Sequence, residues 1–213
     1  MKVVYIPAKV QCGDLEPLIK KIKIREPFAI VTTVQFLHEV EKLRAKGYRV
    51  AGQILGCNTL QTQTHAEQID AYLYIGTGRF HPLNLAYHGK KPVYTLDPLT
   101  EAFSQITKED VQKYEQRQKG MLARYYAAEK IGIIVSKKSG QNNLPRALAF
   151  KKTCGKEAYI FLCDNVQNLE DFPDIDCWVN TACVRIFEDD LNVPMVNIRD
   201  IDGQYNKFQN KRE

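Results

Sequence analysis

Short, unbroken apolar runs recur along the chain: Val3–Ile6, Phe28–Thr32, Val50–Leu55, Ala71–Ile75, Pro92–Leu96, Gly132–Val135, Ala158–Leu162, Cys177–Asn180 and Pro194–Val196. Because polar residues do not alternate within them, these runs predict strands buried on both faces of a parallel sheet. Helical spacing fills the gaps. Val34–Lys46 puts Phe36, Leu37, Val40 and Leu43 on one face, and Gly47 follows as a stop signal. Asp14–Lys23 predicts a helix capped by Asp14. Asn58–Ile69, Lys108–Lys130, Gln141–Thr153 and Asn165–Asp171 complete the helical set. Strand and helix therefore alternate, which predicts an α/β fold with right-handed crossovers. The long polar segment Lys108–Lys130 divides the chain. The expectation is two consecutive small parallel-sheet α/β domains, 1–128 and 129–213, with a polar tail over 203–213 disordered.

Composition narrows this picture without redirecting it. At 213 residues and 44% hydrophobic content, the chain can bury two modest cores. Lys and Arg exceed Asp and Glu by 30 to 25, a net charge of +5. The basic residues gather at Lys20–Arg25, Lys137–Lys138, Lys151–Lys156 and Lys207–Arg212. They read as solvated surface, and no nucleic-acid-binding motif accompanies them, so no direct nucleic-acid partner is expected. An apolar run of about 18 residues, the length of a membrane span, is missing. The opening MKVVYIPAKV is too short in apolar residues for an export signal, so a cytoplasmic location is expected. The six cysteines, Cys12, Cys57, Cys154, Cys163, Cys177 and Cys183, are then reduced thiols or metal ligands rather than a disulfide frame. None forms a CxxC pair, which argues against a zinc ribbon.

Ligands of open α/β sheets sit beyond the carboxyl ends of the strands. The polar residues that follow the apolar runs are therefore the informative ones: Cys57, Asn58, Gly76, Gly78, Arg79, His81, Ser136, Gln141, Asp164, Asn165, Asn180, Thr181, Cys183 and Arg185. Cys57 and Cys183 have small neighbours, Gly56 and Ala182, which leaves room for a bulky group beside each sulfur. A small buried hydrophobe is the competing reading of both. In Ile75–Pro82 (IGTGRFHP), two glycines permit close backbone approach to a ligand. Arg79 can fork onto a carboxylate and His81 can donate or accept a hydrogen bond. An ordinary turn remains the alternative. Val135–Asn142 (VSKKSGQN) resembles an anion-binding loop ahead of a helix. The two units also look faintly duplicated, pairing Ile75–Pro82 with Val135–Asn142 and Ala51–Cys57 with Cys177–Cys183.

Taken in order, VTTVQFLH, GQILGCN, DAYLYIGTGRFHPLNLA, KPVYTLDP, IGIIVSKKSGQN, LCDNV and DIDCWVNTACVRI resemble the archaeal diphthamide synthase family and cover nearly the whole chain. The resemblance implies domains two and three of a three-domain α/β design in which each domain offers one cysteine to a [4Fe–4S] cluster. It implies cleavage of S-adenosylmethionine at the open iron, with release of a 3-amino-3-carboxypropyl radical that modifies a histidine of translation elongation factor 2. Three thiolates leave one iron open for substrate, and the protein supplies binding and orientation. On this resemblance Cys57 and Cys183 are the metal ligands. Gly56, Asn58, Gly76, Gly78, Arg79, His81, Ser136, Gln141, Asn165, Asn180 and Arg185 are the positions around the cofactor and substrate. Val184 departs from the proline that often follows the family's last cysteine. The first domain and its cysteine have no counterpart, so the third thiolate is expected from Cys12, Cys163 or a partner chain, in a homodimer or hetero-oligomer. A non-catalytic scaffold subunit, a quinolinate-synthase-like iron–sulfur enzyme and a plain nucleotide-binding domain are the competing readings.

Overall fold

The computed structural model describes residues 4, 6–55, 69–188 and 191–202. The chain divides into two compact units, Met1–Tyr114 and Glu115–Glu213, with the division falling inside the long helix.

The first unit carries a five-stranded sheet in the order β2-β1-β3-β4-β5. Its strands are β1 (Phe28–Thr32), β2 (Val50–Gln53), β3 (Ala71–Ile75), β4 (Val93–Leu96) and β5 (Phe103–Gln105). The first four run parallel, and β5 adds antiparallel to β4. Every residue of β3 is buried, as an unbroken apolar run in a sheet covered on both faces requires. One core lies under Ala29, Val31, Tyr72, Tyr74 and Leu85. The other lies under Ile30, Leu73, Ile75, Val40 and Leu43. Alternate residues of β1 and β3 thus serve opposite faces. Helices α1 (Glu16–Lys21) and α2 (Leu37–Ala45) contribute Ile19, Val40 and Leu43 to the second of these cores.

The second unit carries four parallel strands in the order β7-β6-β8-β9. They are β6 (Lys130–Ser136), β7 (Glu157–Cys163), β8 (Cys177–Asn180) and β9 (Met195–Asn197). Trp178 is completely buried on β8, edge-on to Phe161 at 4.6 Å and to Phe172 at 6.0 Å. Gly132 sits beside it on β6 because a Cβ there would stand 2.5 Å from the indole ring. The long helix α4 (Lys108–Ala127) opens on a capping box. The Asp110 N–H donates to Thr107 Oγ1 at 3.0 Å, and the Thr107 N–H donates to Asp110 Oδ2 at 2.9 Å.

The two sheets share one plan. Counting strands within each unit, both run second, first, third, fourth. Order reverses between the first and third strands, β1/β3 and β6/β8, and crevices open at such switch points.

Several expected elements differ. Val4 and Ile6 lie in no strand and are exposed. An apolar run becomes a strand only where a sheet edge receives it, and these two are left in solvent. Strand β5 was not anticipated, and all three of its residues are exposed. Helix α3 (Phe80–Gly89) occupies what reads as a turn, since Pro82 falls in its first helical turn, where a proline costs nothing. Asn165–Asp171 keeps one short 3-10 turn, Leu169–Asp171. Gln141–Asn143 stays outside α5 (Leu144–Thr153), whose Pro145 suits a first turn. The expected helix over Asn58–Ile69 and the tail 203–213 lie outside the described residues, Ile69 excepted.

Candidate functional site

In the first unit, β1 and β3 end side by side. Thr32 Oγ1 donates to the Ile75 carbonyl at 2.6 Å and ties the two strand ends together. Beyond Ile75 the chain turns through Gly76, Thr77 and Gly78 into Arg79 and helix α3. Tyr74 organises this turn from below. Its ring is fully buried and its hydroxyl donates to the Thr77 carbonyl at 3.2 Å. Burial pushes the phenol up to about 12. A Cβ on Gly76 would stand 2.7 Å from that hydroxyl, so any side chain there would have to displace the buried Tyr74 ring. Gly78 has φ of +74°, a conformation that other residues adopt with strain. The His81 ring stacks near Tyr74, centroids 6.3 Å apart. Arg79 projects into solvent and pairs with Asp110 at 2.6 Å. The Thr107 N–H, more than the guanidinium, holds Asp110 below the ordinary carboxylate range.

Cys57, Gly56 and Asn58 lie outside the described residues. The strand leading toward them is irregular. Pairing of β1 with β2 slips by one residue between Ile30 and Val31, where Gly52 takes φ of +98°. Such bulges redirect a strand locally.

The second unit brings more of the expected residues together. Ser136 ends β6, and its buried Oγ accepts the Lys138 N–H at 3.1 Å. Lys138 Nζ donates to Asn165 Oδ1 at 2.7 Å, and Lys137 pairs with Asp164 at 2.8 Å. Gln141 closes the turn by donating its N–H to the Lys138 carbonyl at 3.0 Å. Between the ends of β6 and β8, Thr181 Oγ1 donates to the Ile134 carbonyl at 2.7 Å. The loop Thr181–Ala182–Cys183 is held by side-chain amides throughout. Asn143 Nδ2 donates to the Thr181 carbonyl at 2.6 Å. Asn180 Oδ1 accepts the Ala182 N–H at 2.9 Å, and Asn180 Nδ2 donates to the Cys183 carbonyl at 2.8 Å. Asn180 and its neighbour on β9, Asn197, are both buried and linked at 2.8 Å. Arg185 is exposed on the 3-10 turn that follows, Val184–Glu188.

Cysteines differ sharply in this setting. Cys177 is buried, its thiol directed at the Trp178 carbonyl and pushed up to about 12 by burial. Cys154 bonds to backbone carbonyls near the end of α5. Cys163 faces the Val135 carbonyl at 3.8 Å, and burial raises its thiol. Cys12 packs against the apolar core beside Leu15, and burial raises it too. Cys183 is half-buried at the end of β8, with no hydrogen-bond partner for its thiol among the described residues.

The paired likenesses read from sequence are corrected by this topology. Ile75–Pro82 follows the third strand of its sheet, whereas Val135–Asn142 follows the first. Cys57 comes after the second strand and Cys183 after the third. The shared strand order instead pairs the end of β2 with Cys163, and the turn after β3 with the Cys183 loop. Glycine content and a nearby cysteine were poor guides because strand position in the sheet, not loop composition, sets equivalence. Asn143 and Asn197 were not singled out from sequence. Asn143 falls within the expected helix Gln141–Thr153 but stays outside α5, and the part of Asn197 depends on which strand lies beside β8.

Comparison with known proteins decides the family. A family model described as "Putative diphthamide synthesis protein" matches residues 1–207. The chain belongs to the diphthamide synthesis protein family. A 2-(3-amino-3-carboxypropyl)histidine synthase of Pyrococcus horikoshii is 32% identical over 211 residues, covering 88% of this chain and 60% of the relative. One of Methanocaldococcus jannaschii is 30% identical, covering 84% of this chain and 51% of the relative. The chain thus spans between half and three fifths of the length of these archaeal members of the diphthamide synthesis family. The crystal structure of Dph2 from Pyrococcus horikoshii with a 4Fe–4S cluster matches with a TM-score of 0.70 at 31% identity. It covers 88% of this chain and 60% of that one. Among the described residues, no helix is long and apolar enough to cross a membrane, and no cluster of three metal-ligating side chains occurs.

Proposed function

We propose that this chain contributes Cys57 and Cys183 to a [4Fe–4S] cluster. In this reading it transfers a 3-amino-3-carboxypropyl group from S-adenosylmethionine to a histidine of translation elongation factor 2. One observation carries the reading. Cys183 is a half-buried thiol with no hydrogen-bond partner among the described residues, just past the switch-point strand of its sheet, in a loop fastened by Asn143 and Asn180. A ligand thiol has to be reachable and fixed, and Cys183 meets both conditions while Cys154 and Cys177 are already engaged.

When bound, the reduced cluster supplies the electron that breaks the bond between the sulfonium sulfur and the methionine γ-carbon. The rest belongs to the protein. The Gly76–Arg79 turn gives backbone access, and Arg79 offers a fork to the methionine carboxylate. Its present partner Asp110 is exchanged at little cost, because an exposed ion pair is worth about 0–1 kcal/mol. His81, Gln141, Asn165 and Arg185 supply further polar contacts around the substrate. A third thiolate has to come from outside these two loops. Burial raises the Cys12 and Cys163 thiols, which disfavours both as thiolates. A segment outside these residues, or another chain in a homodimer or a hetero-oligomer, is therefore the better source.

Anaerobic reconstitution with ferrous iron and sulfide tests the reading. The intact chain, alone or with a partner, develops the visible absorbance of a thiolate-bound cluster, and Cys57→Ala and Cys183→Ala each lose it. Full absorbance and iron content in both variants would overturn the assignment.

A further inference from the structure

We infer that Asn197 is a positioning residue for Cys183, acting through the amide of Asn180. The inference rests on the reading of Cys183 as a cluster ligand, yet the geometry behind it is independent of iron.

Asn180 and Asn197 are register partners at the carboxyl ends of β8 and β9. They are 2% and 1% exposed, in a sheet whose neighbouring positions are Val179, Val196 and Ile134, all fully buried. A pair of apolar side chains would fill these positions without any polar group to satisfy. The buried amides instead do a directional task. An asparagine amide presents a donor at one end and an acceptor at the other, and reversing it exchanges the two. Asn180 uses both ends on the Cys183 loop: Oδ1 accepts the Ala182 N–H and Nδ2 donates to the Cys183 carbonyl. Reversal would set a donor against the Ala182 N–H and an acceptor against the Cys183 carbonyl. Asn197 Oδ1 forbids it by accepting from the same Nδ2 at 2.8 Å. Asn197 is the last residue of β9. The orientation of one amide, fixed from β9, therefore sets the backbone on both sides of Ala182 and with it the direction of the Cys183 thiol.

Side-specific thiol labelling tests this on the full chain without metal, using iodoacetamide and peptide mass analysis. Cys163 is the internal reference: it is also half-buried, ends β7, and touches none of these amides. Asn197→Leu keeps the volume and removes the acceptor. Freed from one buried hydrogen bond, the loop should let Cys183 react about ten-fold faster, with Cys163 unchanged. A Cys183 rate equal to wild type would overturn the inference. So would equal acceleration at both thiols, which marks general loosening. If the leucine variant does not fold by circular dichroism, Asn180→Asp takes its place. It keeps the acceptor for Ala182 and loses the donor to Cys183, and the same two outcomes decide. Iron reconstitution of Cys183→Ala runs in parallel. Full iron retention there sinks the cluster assignment alone, whereas an unchanged labelling ratio sinks the positioning role alone.

Discussion

Gly132→Ala should destabilise the second unit strongly for a change of one methyl group. The added Cβ would lie 2.5 Å from both Cε3 and Cζ3 of Trp178. The indole cannot retreat, since Phe161 abuts it at 4.6 Å and the ring is wholly buried. Overpacking of this kind costs about 3 kcal/mol at the upper end of its range. Replacing a strand glycine recovers about 0.5–1 kcal/mol of backbone entropy, which leaves a net loss of about 2 kcal/mol. The chain has one tryptophan, so intrinsic fluorescence reports on this unit directly. With a slope of about 1–2 kcal/mol per molar urea, the midpoint should fall by about 1–2 M. Gly120→Ala is the matched control. Nothing lies within 4 Å of its Cβ position on the exposed side of α4, so the variant should gain about 1 kcal/mol of helix propensity. A Gly132→Ala protein as stable as wild type, with Gly120→Ala behaving as expected, would refute the packing argument.

Two further outcomes follow from the same kind of contact. Gly76→Ala drives a Cβ against the Tyr74 hydroxyl, costing about 1–3 kcal/mol. Tyr74→Phe removes that oxygen, so the double variant should be less destabilised than the sum, by more than about 0.5 kcal/mol in urea melts; additivity within that margin would be a failure. Asp176 accepts the N–H groups of Lys130 and Glu129 at 2.8 and 3.0 Å, which hold its carboxyl below the ordinary range. A carboxyl depressed in the folded state adds stability above its unfolded value of about 3.9 and loses it as pH falls through the folded value. Asp176→Asn should therefore be less stable than wild type at neutral pH, with the gap closing in acid. Fluorescence-detected melts at both pH values check it, and a gap that widens in acid contradicts the sign.

Much of the fold was legible because its strands are buried on both faces. Phe28–Thr32, Ala71–Ile75 and Cys177–Asn180 are strands with the limits that their apolar runs predict. Strand β5 was invisible for the opposite reason: Phe103, Ser104 and Gln105 are all exposed, so no burial pattern marks them. Helix α3 was hidden by Gly78 and Pro82, residues that announce a turn and here stand before and inside a first helical turn. Position after a strand singled out Ser136, Asn180, Thr181 and Cys183, and the structure sets them at or just beyond the carboxyl ends of β6 and β8. Asn197 could not be found that way. Its part depends on which strand lies beside β8, and strand order is a long-range property that local sequence does not carry. Arg79 was legible as an exposed fork, while its pairing with Asp110 is set across 31 residues.

The two threonine stitches have a kinetic corollary. Thr32 reaches Ile75 across 43 residues, and Thr181 reaches Ile134 across 47. Each crevice is thus closed by a long chain excursion, whose entropic cost is met only after the intervening strand and helix have formed. Neither crevice can persist in a half-folded unit. Anything that binds there draws on the cooperativity of the whole unit, so occupancy would raise melting temperature and slow amide exchange throughout the sheet rather than at the rim alone.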